Sequence, residues 1–70
     1  MNKLYVIIGK RIAEKRRKMN YSQEQLAEKV GLHRNYIGLI ERAEKRVTIY
    51  NLQKIANALD LTLVEIFEGF

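Results

Sequence analysis

Apolar residues recur along this chain at intervals of three and four, and no stretch alternates with period two between turn residues, so the pattern predicts helices throughout. A first helix is expected from about Lys3 to Lys18, with Ile8, Ile12 and Met19 on its buried side and Lys10, Arg11, Lys15, Arg17 and Lys18 mostly in water. Ser22 followed by Gln25 is a capping box, in which the hydroxyl takes a free backbone N–H of the first turn and the glutamine side chain reaches back. A second helix therefore starts at Gln23. Its inward stripe is Leu26, Ala27 and Val30, and Gly31 stands where a helix ends through a left-handed residue. Only Leu32 and His33 separate Gly31 from a third helix over about Arg34 to Arg42, with the apolar stripe Leu32, Ile37 and Ile40. Two short helices joined by a three- or four-residue turn containing glycine, spanning roughly Gln23 to Glu41, make a helix-turn-helix. Thr48 caps a fourth helix that buries Leu52, Ile55, Ala56 and Leu59. Thr62 with Glu65 forms a second capping box, opening a fifth helix through Ile66 and Phe67. The expected fold is all-α, a compact five-helix domain over residues 1–70.

Composition narrows what such a fold can do. Seventy residues, 47% of them hydrophobic, suffice for one core, and a domain this small commonly needs a metal, disulfides or a partner subunit for support. Cysteine is absent and His33 is the only histidine, which removes disulfides, zinc fingers and thiol nucleophiles and suits a reducing cytoplasm. The longest apolar run, Leu4 to Ile8, is far too short to span a membrane, and no small-residue cleavage site follows it. A soluble, cytoplasmic protein is expected. No proline occurs and the four glycines are scattered, so there is no linker to delimit a second domain. Thirteen Lys and Arg against eight Asp and Glu give a formal +5 and an isoelectric point near 9.8, which predicts attraction to polyanions. A merely well-solvated surface accounts equally well for the net charge, so its distribution has to decide. The cations gather in the C-terminal half of the first helix and again at Arg42, Lys45 and Arg46; in the first helix, part of that cluster also favours the helix dipole.

The run Ser22-Gln-Glu-Gln-Leu-Ala-Glu-Lys-Val-Gly31, then Leu32-His-Arg-Asn-Tyr-Ile-Gly-Leu-Ile-Glu41, resembles the Cro and phage-repressor type of helix-turn-helix, the XRE family. Ala27 and Gly31 are its small residues, one where two helices cross tightly and one where the turn wants positive φ. The resemblance extends from Ile8 through Ile66 and includes the Leu52-x-x-Ile55-Ala56-x-Ala58-Leu59 pattern of the fourth helix. Within that family, Leu32 to Arg42 followed by Val47-Thr-Ile resembles the controller proteins of restriction-modification systems, although Ala43 stands where many members have glycine. The resemblance implies a stand-alone transcriptional regulator, and no residues remain after the fifth helix for an effector-binding domain. It further implies a homodimer on double-stranded operator DNA, with half-sites about one helical turn apart.

Residue roles follow from placing the third helix in the major groove and aiming the positive end of the second at the DNA backbone. Arg34 is the first candidate for base reading, since its planar fork suits guanine O6 and N7, with a phosphate contact as the alternative. Asn35 and Gly38 lie on the outward surface of the same helix, and Asn35 can pair with adenine or with a phosphate. Tyr36 can bond a phosphate or a thymine edge, or rest on the margin of the core; in the controllers that the chain resembles, this tyrosine faces DNA. His33 is placed to cap the third helix or touch the backbone. Gln23 resembles the family's backbone-clamping glutamine, with solvent exposure near a capped helix start as the alternative, and Arg42, Lys45 and Arg46 fit phosphate clamping, with dipole stabilisation of the helix end as the alternative for Arg42. Arg16 and Glu41 match positions where the family often pairs an arginine with a glutamate to link the first helix to the third, so Glu41 is not expected on DNA. For the dimer, Leu61, Leu63, Val64, Phe67 and Phe70 exceed what so small a core can hide, so some are expected to pack against a second subunit; the alternatives are that the fifth helix only closes the monomer core, or that Leu4 to Ile8 supplies the surface. No catalytic constellation is evident, and no cofactor, metal, small-molecule ligand or membrane partner is expected. An antitoxin-like protein-interaction module sharing the fold is the rival reading.

Overall fold

The computed structural model describes residues 2–69. Five helices follow in order: α1 (Lys3–Lys18), α2 (Gln23–Val30), α3 (Arg34–Glu41), α4 (Ile49–Ala58) and α5 (Leu63–Phe67), with no strand among the described residues. Helix α3 packs on both α2 and α1, α4 lies against α2, and α5 closes against α1 and α4. Ile12, Leu26, Ile37, Ile55 and Ile66, one from each helix, are wholly buried at the centre together with Leu59 at the end of α4, so all five helices share one core. Each buried side chain of this size contributes about 1.5 to 3 kcal/mol of transfer free energy.

Local chemistry sets the helix starts. Ser22 and Thr62 each make the reciprocal capping box, and Thr48 Oγ1 accepts from the Asn51 N–H at 3.1 Å. The helix ends share one device. After α1, α2, α3 and α4 a single left-handed residue turns the chain, and the next amide returns to a carbonyl in the last turn: Tyr21 N to Arg16 O, Leu32 N to Ala27 O, Glu44 N to Leu39 O and Leu61 N to Ala56 O, all at 2.8–3.0 Å. The left-handed residues are Asn20, Gly31, Ala43 and Asp60, and Gly31 is the only glycine among them. Ala43 closes α3 one residue before the predicted Arg42, with φ 59° and its methyl buried.

Three expectations need correction. Arg11 does not lie in water: it is half-buried, and its Nη1 donates to Ile66 O at 2.7 Å and Glu65 O at 3.4 Å, tying α1 to the end of α5. Lys15 is likewise half-buried. Helix α5 does not leave a broad apolar surplus, because Leu61, Leu63 and Phe67 are half-buried against the core; Val64 alone of that set is widely exposed, at 77%, and Phe70 lies outside the described residues.

Candidate nucleic-acid interface

Helix α3 has two sides with opposite fates. Ile37 and Ile40 face inward, and its first residues, Arg34 and Asn35, stand exposed beyond the turn at Gly31. The turn places them there because Gly31, at φ 71°, reverses α2 sharply and His33 caps the new helix, its Nδ1 accepting from the Asn35 N–H at 3.0 Å. Gln23, Arg34, Asn35, Gly38, Leu39 and Arg42 line one open depression along the exposed side.

Gly38 departs from expectation, because it is buried within that depression rather than outward-facing. A Cβ there would meet Arg42 Nη1 at 2.9 Å and Gln23 Oε1 at 3.3 Å, so the missing side chain lets those two lie across the helix. Arg34 Nη1 donates to Glu24 Oε2 at 3.1 Å and Arg42 Nε to Glu44 Oε2 at 2.7 Å, each pair more than half exposed. Lys45 and Arg46 are exposed just beyond α3. Tyr36 is half-buried on the core; its hydroxyl accepts from Asn51 Nδ2 at 3.2 Å, and Lys45 Nζ lies 5.9 Å from the ring centroid.

Beneath this surface sits a buried polar hub. Arg16 Nε donates to Glu41 Oε2 at 2.7 Å, Arg16 Nη2 to Glu41 Oε1 at 3.0 Å and Arg16 Nη1 to Tyr21 O at 2.8 Å. Gln23 Nε2 completes it, donating to Glu41 Oε1 at 2.9 Å. The Arg16 and Glu41 side chains are 10% and 4% exposed, and a buried charge pair is tolerable only when its remaining donors and acceptors are satisfied, as they are here. The hub joins α1, the first residue of α2 and the last of α3, so it sets the angle at which α3 leaves the body of the protein.

Several of these partners carry no signal in the sequence pattern. Glu24 and Glu44 each hold an arginine of the candidate surface, Asn51 reaches Tyr36 from another helix, and Gly9 marks the crossing of α1 over the end of α3. A Cβ on Gly9 would lie 2.5 Å from Ile40 O and 2.6 Å from Glu41 O. Only Gly9 had an available cue, as an isolated glycine inside a helical pattern. Among the described residues no group of three His, Cys, Asp or Glu could hold a metal ion, and no helix is long and apolar enough to cross a membrane.

A helix-turn-helix family model matches residues 12–66. Control protein C.SmaI of Serratia marcescens is 46% identical over 57 residues, covering 81% of this chain and 68% of that protein. The crystal structure of the restriction-modification controller protein C.AhdI from Aeromonas hydrophila superposes with a TM-score of 0.86 at 41% identity, covering 90% of this chain and 96% of that one. The controller C.Esp1396I, solved as a tetramer with its natural 35 base-pair operator, superposes with a TM-score of 0.87 at 34% identity, covering 97% and 90%. This chain therefore belongs to the helix-turn-helix family, with restriction-modification controller proteins among its relatives.

Proposed function

We propose that this protein is a sequence-specific transcriptional regulator, a restriction-modification controller, that binds operator DNA as a homodimer by laying α3 in the major groove. The observation that carries the reading is the contrast across α3: Arg34 and Asn35 stand exposed at its N-terminal end, while Ile37, Ile40 and Glu41 lock the opposite side to α1 and α2. A rigidly held helix with an exposed guanidinium fork at its entering end, held only by the surface pair with Glu24, suits bidentate reading of guanine, with Asn35 beside it for adenine. Gln23, His33, Tyr36, Arg42, Lys45 and Arg46 surround that end and supply backbone contacts. Arg16 and Glu41 stay off the DNA. The protein acts as a non-enzymatic, cytoplasmic regulator, with no cofactor and no small-molecule ligand.

Dimerisation is assigned to α5, where Val64 is exposed beside the half-buried Leu63 and Phe67. Two copies related by a two-fold axis present two α3 helices to half-sites roughly 34 Å apart. Selection of binding sites from randomised duplex DNA tests the reading: a two-fold symmetric consensus, with bases at each half-site lost on Arg34→Ala, is expected. Failure to enrich any sequence would overturn it. Val64→Asp, which leaves the core untouched, is expected to yield a folded monomer in sedimentation and to weaken operator binding. A Val64→Asp protein that still sediments as a dimer would move the interface elsewhere.

A further inference from the structure

We infer that Asn51 is a positioning residue for DNA recognition: from α4 it holds Tyr36 in place and leaves the phenolic proton free for an acceptor oxygen on the DNA. The inference rests on the DNA-binding reading above and deepens it.

The geometry runs through three elements. Tyr36 is the third residue of α3, directly after Arg34 and Asn35, and its ring is held from two sides, by the core beneath and by Lys45 Nζ at 5.9 Å from the centroid. Its remaining freedom lies at the hydroxyl. A phenol carries one proton and can also accept. Asn51 Nδ2 donates to that oxygen at 3.2 Å, which uses an acceptor site, and no acceptor within the described residues takes the proton. Asn51 can do this because it is itself fixed: its N–H is bonded to Thr48 Oγ1 at 3.1 Å in the first turn of α4, and the adjoining Leu52 is buried. The cap of α4 thus reaches the recognition helix through one side-chain hydrogen bond. The partner it prepares is a hydrogen-bond acceptor, either a phosphate oxygen or the acceptor edge of a base.

The substitution Asn51→Asp separates this role from a structural one. A carboxylate has nearly the same shape and, in the first turn of α4, is favourable to the helix dipole, so stability should hold or rise. It offers only acceptors, however, and so turns the Tyr36 proton inward. Asn51→Ala removes the bond without adding charge.

The experiment measures binding of wild type, Asn51→Asp, Asn51→Ala, Tyr36→Phe and the double variant Tyr36→Phe/Asn51→Ala to the duplex selected by the wild type and to a scrambled duplex, with thermal melting alongside. Asn51→Ala and Tyr36→Phe are each expected to lose roughly 3- to 10-fold in operator affinity, the range of one net hydrogen bond. Asn51→Ala is expected to be silent in the Tyr36→Phe background, and Asn51→Asp to lose affinity without a lower melting point. A coupled loss that is equal on both duplexes assigns the acceptor to a phosphate, and one confined to the selected duplex assigns it to a base; either supports the inference. Equal losses for Asn51→Ala in both backgrounds, or wild-type affinity for Asn51→Asp, would overturn it while leaving the DNA-binding reading intact. A wild type that selects no duplex would overturn both.

Discussion

Two arginine–glutamate pairs in this protein have the same closest approach, 2.7 Å, and opposite surroundings. Arg16 and Glu41 meet in the interior, 10% and 4% exposed, with the Gln23 amide donating and the Tyr21 carbonyl accepting to complete the network; Arg42 and Glu44 meet at the surface, each 55% exposed, with no other bond between them. Distance does not distinguish the pairs, and burial does. Around the inner pair water cannot replace a lost partner, so the network acts as a strut between helices. At the surface water competes for both charges, and the pair contributes little to stability, typically below about 1 kcal/mol. Arg42, and Arg34 with Glu24 in the same way, can therefore exchange a carboxylate for DNA at small cost.

The largest effects are expected at the inner pair. Glu41→Ala should strand the Arg16 guanidinium and the Gln23 amide, and a loss of about 3 to 5 kcal/mol is expected in urea unfolding. A loss near that of Glu44→Ala would show that the two pairs are equivalent after all. Gly9→Ala attacks the same joint sterically, because its methyl would press on the Ile40 and Glu41 carbonyls, and about 1 to 3 kcal/mol of destabilisation should follow in the same measurement.

Outside, the effects should move from stability to binding. Arg34→Ala is expected to leave unfolding nearly unchanged, to lower operator affinity by about 1 to 3 kcal/mol and to relax the preference at one position per half-site. An equal loss on scrambled DNA would make Arg34 a phosphate contact and shift base reading toward Asn35 and Tyr36. Lys45→Ala should weaken operator and scrambled DNA alike and reduce the salt slope by about one per subunit, read from titrations between low and moderate salt. Glu24→Gln sharpens the contrast further: without the carboxylate beside Arg34, scrambled DNA should bind more tightly while unfolding shifts by less than about 1 kcal/mol. A several-fold gain in discrimination against scrambled DNA would contradict the assignment of Glu24 as a competitor for that arginine.

The smallest effect concerns a carboxylate at the surface. Hydrogen bonds from the Thr62 backbone N–H and hydroxyl hold Glu65 below the ordinary glutamate range, with Lys15 adding attraction and desolvation opposing. Its folded pKa is depressed, so its contribution to stability is present above the unfolded-state value and is lost as pH falls through the folded one. Glu65→Gln should lower the melting temperature slightly at neutral pH, where the carboxylate is ionised, leave it nearly unchanged at low pH, and so flatten that part of the acid limb of a melting-temperature profile. An unchanged acid limb would show that the α5 cap carries no measurable pH dependence.

The helices and the turn between α2 and α3 were legible because their signals are short. Ser22 and Thr62 reach amides three residues away, and Gly31 and His33 act on their own neighbours, so residue type and spacing are sufficient. The same reasoning missed the left-handed residues Asn20, Ala43 and Asp60, since their conformation is adopted without the glycine that announces it. Arg16 and Glu41 were named through a family resemblance; nothing in their spacing of 25 residues pointed to a contact. Arg11 and Phe67 read as solvent-facing and as surplus apolar surface, because the depth of cover over them depends on where α5 docks.

By itself, then, the sequence determined a basic, cysteine-free chain, five helices with caps at Ser22, Thr48 and Thr62, and a glycine turn; the helices and the turn are consequences of interactions that close within about one helical turn. Tertiary structure decided which arginine became a strut and which stayed exposed at the surface, that Gln23 bonds Glu41, that Gly38 lies covered, and that Asn51 meets Tyr36. Those outcomes depend on the crossing of one helix over another. Burial and desolvation exist only after the crossing has formed, and they change the energetic weight of a contact several-fold without any change in the residues that make it.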